Sequence, residues 1–449
     1  MSNELARGLR QTFSSTTMQA GPAAVKGRAR FAFVAPKAPD APKKTDMSKL
    51  NELWFVKDLS TPEPIPEDAI ERAVALMRSG RLHRYGEQGV GYPEPSLLEQ
   101  EYASYVGSKY CVAVSSCGAA MLISLKALGV KAGDKVLTST FTLSPVPGAI
   151  AHAGAEAILI EASNDYMTDM ADLERKAASS GAKVFLLSHM RGHIADLEKV
   201  KSICDQFGIT IVEDCAHTMG AKWDGKHTGT WGKVGCYSAQ TYKHINSGEG
   251  GLLVTDDEDV AAQAILMSGC YMMYDQHILK PSSDVFERWK YVTPNFSMRM
   301  SNLTAALLRP QIGQLKDRGR RWNHIYATLE RELTKAELVS IPVRDAREEF
   351  IASSIQFTLN LKPHQIDHFL KECSLRGLYI KWFGTPSPVA FTSNFEHWHY
   401  LASKPDIPHS KAVLDKLMDL RTPLSLTEED CVLIGKIVAA ASLLAVAVN

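Results

Sequence analysis

From about residue 65 onward, short apolar runs alternate with amphipathic stretches. Residues 69–77 and 97–106 place apolar side chains at helical spacing, 111–115 (CVAVS) reads as a strand, and 119–128 reads as a helix stopped by Gly129. Residues 136–138 form a further strand, and GAIAHAG is a helix with a glycine stop. Three more strands, 157–160, 184–187 and 209–212, are separated by helical segments around MADLERKAA and ADLEKVKSICDQFG. Strands joined by helical crossovers predict an α/β fold whose mostly parallel sheet is covered on both faces. A long helical segment over 300–334 leads to a second region. There IQFTLNL and LYIKW read as strands and 364–376 and 427–446 as helices, a smaller C-terminal α+β domain. The expected organisation is an extension over 1–50, a large domain over 51–320 and a small domain over 321–449.

Composition narrows the class. The 449 residues carry 50 Lys plus Arg against 50 Asp plus Glu, so no basic field points to nucleic acid or a membrane surface. The longest apolar run, 437–448, is too short to span a bilayer. Eight cysteines lie scattered without a C-x-x-C pair, which predicts reduced thiols in a cytoplasmic protein, with no disulfide frame and no metal site. The first fifty residues are rich in Ala, Pro, Ser, Thr and basic residues. APKAPDAPKK predicts a flexible tail, with Arg7, Arg10, Arg28 and Arg30 leaving a transit peptide as the alternative.

The densest chemistry lies between 211 and 255. Asp214 ends an apolar strand run, and Lys243 sits in a polar turn before SGEGG and the next apolar run, 252–254. Lysine forms a Schiff base with the aldehyde of pyridoxal phosphate, and a strand-end carboxylate can keep the pyridine nitrogen protonated. By default a loop lysine is a solvated charge and a strand-end acid a turn residue. The pairing is what points to a cofactor. Glu213 would face the other side of the strand. Ser238 and Thr241 offer hydroxyls to a phosphate, and Gly118 and Ala119 open a helix whose amides and dipole favour one. His217 could flank a cofactor ring or be a turn residue, and Phe141 could lie on that ring or be core.

Five segments, VSSCGAAM, GDKVLTSTFT, VEDCAHTMGA, YSAQTYKHINSGEGGLLVT and NFSMRMSNLTAALL, occur in the order and spacing of the StrS-type (DegT family) sugar aminotransferases. The chain resembles these enzymes over roughly residues 78–320, and more loosely through LRTPLSLTEED. The resemblance implies a fold-type I enzyme, with an aspartate-aminotransferase-like three-layer α/β/α large domain and a small C-terminal domain. It implies pyridoxal 5'-phosphate held as an internal aldimine on Lys243, with Asp214 at the pyridine nitrogen, Phe141 stacked on the ring and His217 beside it. Gly118, Ala119 and Ser238 would hold the phosphate, and Asn295 would reach it from the other subunit of a homodimer. The implied reaction moves an amino group from glutamate or glutamine to a nucleotide-linked keto-sugar or a keto-cyclitol. A pyridoxamine-dependent dehydratase of the same fold, with histidine in place of lysine, is the alternative, followed by a non-catalytic regulatory homologue. The departures fall on stretches that face the substrate. Arg191 in SHMRGHIAD stands where the family often has an aromatic, with His189 and His193 around it, which makes His189 and Arg191 substrate candidates. Gly118 replaces a common threonine, Phe296 a frequent tyrosine, and FEHWHYLASKP the usual H-Y-P-L-H segment.

Overall fold

Apolar runs buried on both sides become the strands of one central sheet. In the computed structural model, which describes residues 52–86, 91–387, 393–401 and 406–448, the expected extension over 1–50 lies outside the described residues. The first strands are β1 (Tyr110–Val114), β2 (Lys135–Ser139), β3 (Glu156–Ile160), β4 (Val184–Ser188) and β5 (Thr210–Asp214). A two-residue hairpin follows, β6 (Lys222–Trp223) and β7 (Lys226–His227), and then β8 (Val234–Ser238) and β9 (Gly251–Thr255). Seven of these form a sheet in the order β1-β9-β8-β5-β4-β2-β3. Only β9 runs against its neighbours, so the sheet is mostly parallel, as the strand-helix alternation predicts.

Alternation along each strand feeds two cores. Phe185 and Leu187 enter the cluster under helices Met170–Ser180 and Leu197–Phe207, while Val184 and Leu186 enter the one under Cys117–Ala127 and Glu258–Ser268. The helices start where short polar side chains cap them: Ser116, Asp169, Asp196 and Asp257 each accept from the amide three residues on. Together these layers make the α/β/α architecture.

The predicted helix over 300–334 is two helices, Asn302–Ile312 and Leu315–Leu333, because Pro310 removes a backbone donor in the last turn and Gly313 caps it. Residue 320, where the expected domain boundary lies, falls within the second. Beyond it are β10 (Val339–Ser340), β11 (Glu348–Glu349), β12 (Ser354–Leu359), β13 (Lys381–Trp382) and β14 (Leu417–Arg421). Four of them form an antiparallel sheet, β10-β12-β14-β13, and β11 pairs with β6. Helices Pro363–Leu375 and Glu428–Val446 pack on each other and share a core with its strands, and the latter also lies along Leu315–Leu333. All eight cysteines are buried and unbridged, and among the described residues no helix is long and apolar enough to cross a membrane.

Candidate active site

Strands β4, β5 and β8 end side by side, with Ser188 in register with Asp214 and Asp214 opposite Cys236. Their carboxyl ends open into a cavity of about 580 Å³, the place where parallel sheets collect ligands. Asp214 lies on its floor. Ser188 Oγ donates to its Oδ2 at 2.7 Å, the Ala216 amide to its Oδ1 at 3.1 Å, and the Cys117 thiol lies 3.7 Å from Oδ1. Burial beside Asp214 pushes the Cys117 thiol well up, so it stays protonated. Glu213 faces the opposite way, as the strand period requires. It accepts from the amides of Gly229, Trp231 and Gly232 at 2.7, 2.8 and 2.7 Å and so shapes the loop before β8.

Lys243 hangs from a loop clamped at its base by Ala239 N donating to Gly250 O at 2.9 Å and Thr241 N to Gly248 O at 3.0 Å. The glycines of SGEGG have a specific reason. A Cβ on Gly251 would lie 2.3 Å from the Ser116 carbonyl, so only glycine lets β9 pass beneath the turn that opens helix Cys117–Ala127. The Lys243 amine meets His217 Nε2 at 3.0 Å. Burial first, then the Arg191 guanidinium, bring Lys243 down to about 8, against the pull of Asp214. Burial and the nearby Lys243 hold His217 well below its usual value, so its ring is neutral. An amine that is partly unprotonated near neutral pH is what a Schiff-base nucleophile needs.

Gly118 lines the cavity, and its amide lies in the first helical turn, where no intrahelical acceptor exists. Ala119 does not line the cavity, and its amide donates to Ser116 Oγ at 3.0 Å. Ser238 and Gln240 complete that side. The structure therefore brings Lys243, Asp214, His217, Gly118, Ser238 and Arg191 together around one space.

Three further expected residues are elsewhere. Phe141 is 3% exposed and packs edge-on against Phe383, with centroids 5.0 Å apart, rather than over the cavity. The chain leaves β2 at Ser139, strand phase is lost, and Leu143, Pro145 and Val146 supply the wall instead. His189 turns away to Glu213, with Nε2 3.1 Å from the carboxylate, on the far side of β5. Asn295 is exposed, and its Oδ1 accepts from the Ser297 amide at 2.8 Å, outside this chain's cavity lining. Arg191 does reach the cavity. It adopts φ 57°, a left-handed conformation costly for a residue with a Cβ, and its guanidinium pairs with Asp419 at 2.6 Å. Sequence reasoning missed Tyr242, Lys381 and Arg421. The available signal was the alternation Asp419, Arg421 within LMDLR, which places two charges on one face of an otherwise apolar run.

This set fits pyridoxal phosphate: an acid at one end of the cavity, a softened lysine, and a helix start with small residues for the phosphate. The sequence and the fold resemble those of known proteins. Over 262 residues the chain is 29% identical to the spore coat polysaccharide biosynthesis protein SpsC of Bacillus subtilis, a stretch covering 58% of this chain and 65% of that relative. The fold matches the aminotransferase TlmJ from Streptoalloteichus hindustanus at TM-score 0.72 and 19% identity, covering 85% of this chain and 97% of that one. It matches 3-amino-5-hydroxybenzoic acid synthase at TM-score 0.71 and 22% identity, covering 85% and 97%. Residues 65–439 match the DegT/DnrJ/EryC1/StrS aminotransferase family, and the chain belongs to that family.

Proposed function

We propose that the chain is a pyridoxal-phosphate-dependent aminotransferase that moves an amino group from glutamate or glutamine to the keto group of a nucleotide-linked sugar or of a cyclitol. The observation that carries this reading is Lys243 and Asp214 facing one cavity, with a neutral His217 ring 3.0 Å from the lysine amine. When bound, the cofactor supplies a ring that withdraws electrons from the substrate carbon. Asp214, fixed by Ser188 and the Ala216 amide, holds a proton at the pyridine nitrogen. Lys243 would hold the cofactor aldehyde and, with its amine free, would take and return a proton at the carbon bearing nitrogen. Neutral His217 adds no positive charge beside that amine. The dehydratase alternative needs histidine at the lysine position. The neighbouring His244 turns out of the cavity, edge-on to Trp322 at 5.1 Å.

Two chains acting as a homodimer complete the reading. Asn295 lies beside exposed Tyr291 and Val292, a surface suited to a second copy whose cavity it would enter. Reconstituted protein should show a visible absorption band, borohydride should fix the cofactor on Lys243, and glutamate or glutamine should bleach the band. A colourless protein after reconstitution, or Lys243→Ala with unchanged turnover, refutes the proposal.

A further inference from the structure

Polar and apolar residues alternate along β12, S-I-Q-F-T-L. Ile355, Phe357 and Leu359 enter the core, while buried Ser354 and Gln356 point to the other face. Antiparallel pairing sets Gln356 in register with Asp419 of β14. The Gln356 amide nitrogen donates to Asp419 Oδ1 at 2.7 Å and to Ser354 Oγ at 2.9 Å. Its Oε1 faces His193 Nε2 at 2.9 Å. A carboxylate can only accept, so the amide has one orientation that suits both neighbours. Burial first, and then the Arg344 charge, bring His193 down to about 3, so its ring is neutral and donates through Nε2.

Two more contacts from the C-terminal region fall on the same turn. Asp419 Oδ2 pairs with the Arg191 guanidinium at 2.6 Å, and Arg344 Nη1 donates to the Gly192 carbonyl at 2.9 Å. Residues 191, 192 and 193 are therefore each held by a different side chain, and Gln356 joins two of the three holds. Arg191 and Gly192 both have positive φ, 57° and 83°. Glycine adopts that conformation freely, whereas a residue with a Cβ does so at a cost that outside contacts must offset. The turn's own backbone bonds, Gly192 N to His189 O at 3.2 Å and His193 N to Met190 O at 3.1 Å, do not reach the Arg191 side chain. Asp419 does, with one oxygen on Arg191 and the other on Gln356.

We infer that Gln356 is a positioning residue: by bridging His193 and Asp419 it fixes the turn 190–193 and keeps the Arg191 guanidinium on the wall of the cavity that holds Lys243. The inference rests on the aminotransferase reading and deepens it, because it gives the C-terminal sheet a part in readying the lysine. Around Lys243 stand His217, Asp214 and Cys117, with Arg191 on the turn after β4 and Arg421 on β14, and after burial Arg191 is the strongest of these influences. Gln356 carries no charge, so replacing it reaches Lys243 through geometry. Without the bridge the turn relaxes toward negative φ, which carries the arginine off the cavity and returns the lysine toward its ordinary value.

Acetylation of Lys243 by acetic anhydride in the apoenzyme, followed across pH by mass spectrometry, reads the lysine's midpoint without cofactor. The wild-type midpoint should fall at about 8. Arg191→Gln should raise it by about one unit, and Gln356→Met, close in volume and uncharged, by about half a unit. The two together should raise it no further than Arg191→Gln alone, because the glutamine acts through the arginine. Gln356→Asn keeps the amide but is one methylene too short to span His193 and Asp419. It should shift the midpoint as Gln356→Met does, and it serves where the methionine variant fails to fold. A merely structural glutamine would lower the melting temperature and leave the midpoint where it is. An unmoved midpoint in the folded Gln356 variants or in Arg191→Gln, or shifts that add in the double variant, overturns the inference, whatever the cofactor does. An apoenzyme that gives these shifts yet never takes up pyridoxal phosphate overturns the aminotransferase reading instead.

Discussion

A lysine brought down to about 8 changes how fast the apoenzyme takes up its cofactor. Only the neutral amine attacks an aldehyde. A solvated lysine at its ordinary value is neutral in about 3 molecules per 10,000 at neutral pH, whereas Lys243 is neutral in about one in ten, a gain of roughly 300-fold. The attachment rate should rise through about pH 8 and level off above it, because further deprotonation adds little once most of the amine is neutral. Stopped-flow mixing of apoenzyme with pyridoxal phosphate, following growth of the visible band, reads this directly. Burial is the first cause of the shift, and the Arg191 and Arg421 charges add to it. Arg421→Gln should therefore move the midpoint to higher pH by about half a unit without abolishing attachment. A rate that climbs past about pH 9.5 with no plateau would show that Lys243 behaves as a solvated amine, and the account of its activation would fail.

The same shift has a stability cost of opposite sign to an ion pair. A lysine whose folded value is lowered destabilises the apoprotein fully below about 8, and the cost vanishes above its unfolded value, so Lys243→Met should stabilise the apo form at neutral pH. Because the side chain is only half-buried, a gain of about 1–2 kcal/mol is expected, shrinking as pH rises; urea melts at two pH values check it. Asp214→Asn should keep the visible band, since the Ala216 amide can still donate to the remaining oxygen and Ser188 Oγ can accept from the new amide nitrogen, but should lower kcat by about a thousandfold; near-normal turnover contradicts the role given to Asp214. Gly251→Ala should cost about 3 kcal/mol and weaken cofactor binding together, because the added carbon meets the Ser116 backbone at 2.3 Å, and thermal melts with cofactor titration would show both.

The sheet was legible because its strands are buried on both faces and so read as unbroken apolar runs. Val184–Ser188 is buried at every position, and runs nearly as buried account for β1, β2 and β5. Lys243 and Asp214 were legible for another reason: each sits where an apolar strand gives way to a polar turn, a boundary visible without knowing which elements pack together. Phe141 failed because the chain bends after Ser139, and no period predicts whether residue 141 or 143 then turns inward. His189 failed because its partner, Glu213, lies on the neighbouring strand, a pairing set by register and not by sequence distance.

β14 was missed because Asp419 and Arg421 interrupt its apolar run, and charged residues within a run argue against a buried strand when only pattern is used. In the folded chain that interruption is resolved by tertiary contacts. Asp419 takes a hydrogen bond from Gln356 at 2.7 Å and an ion pair from Arg191, which lets a buried carboxylate and a left-handed arginine stabilise one another. Equal totals of 50 basic and 50 acidic residues concealed this, because charge is sorted only when β13, β14 and the turn after β4 converge at the cavity. A local break in pattern thus marks a surface that lines a cavity, where a stable core would have preferred apolar side chains. The residues that made β14 hard to read as structure are the ones that bring charge to the cavity walls.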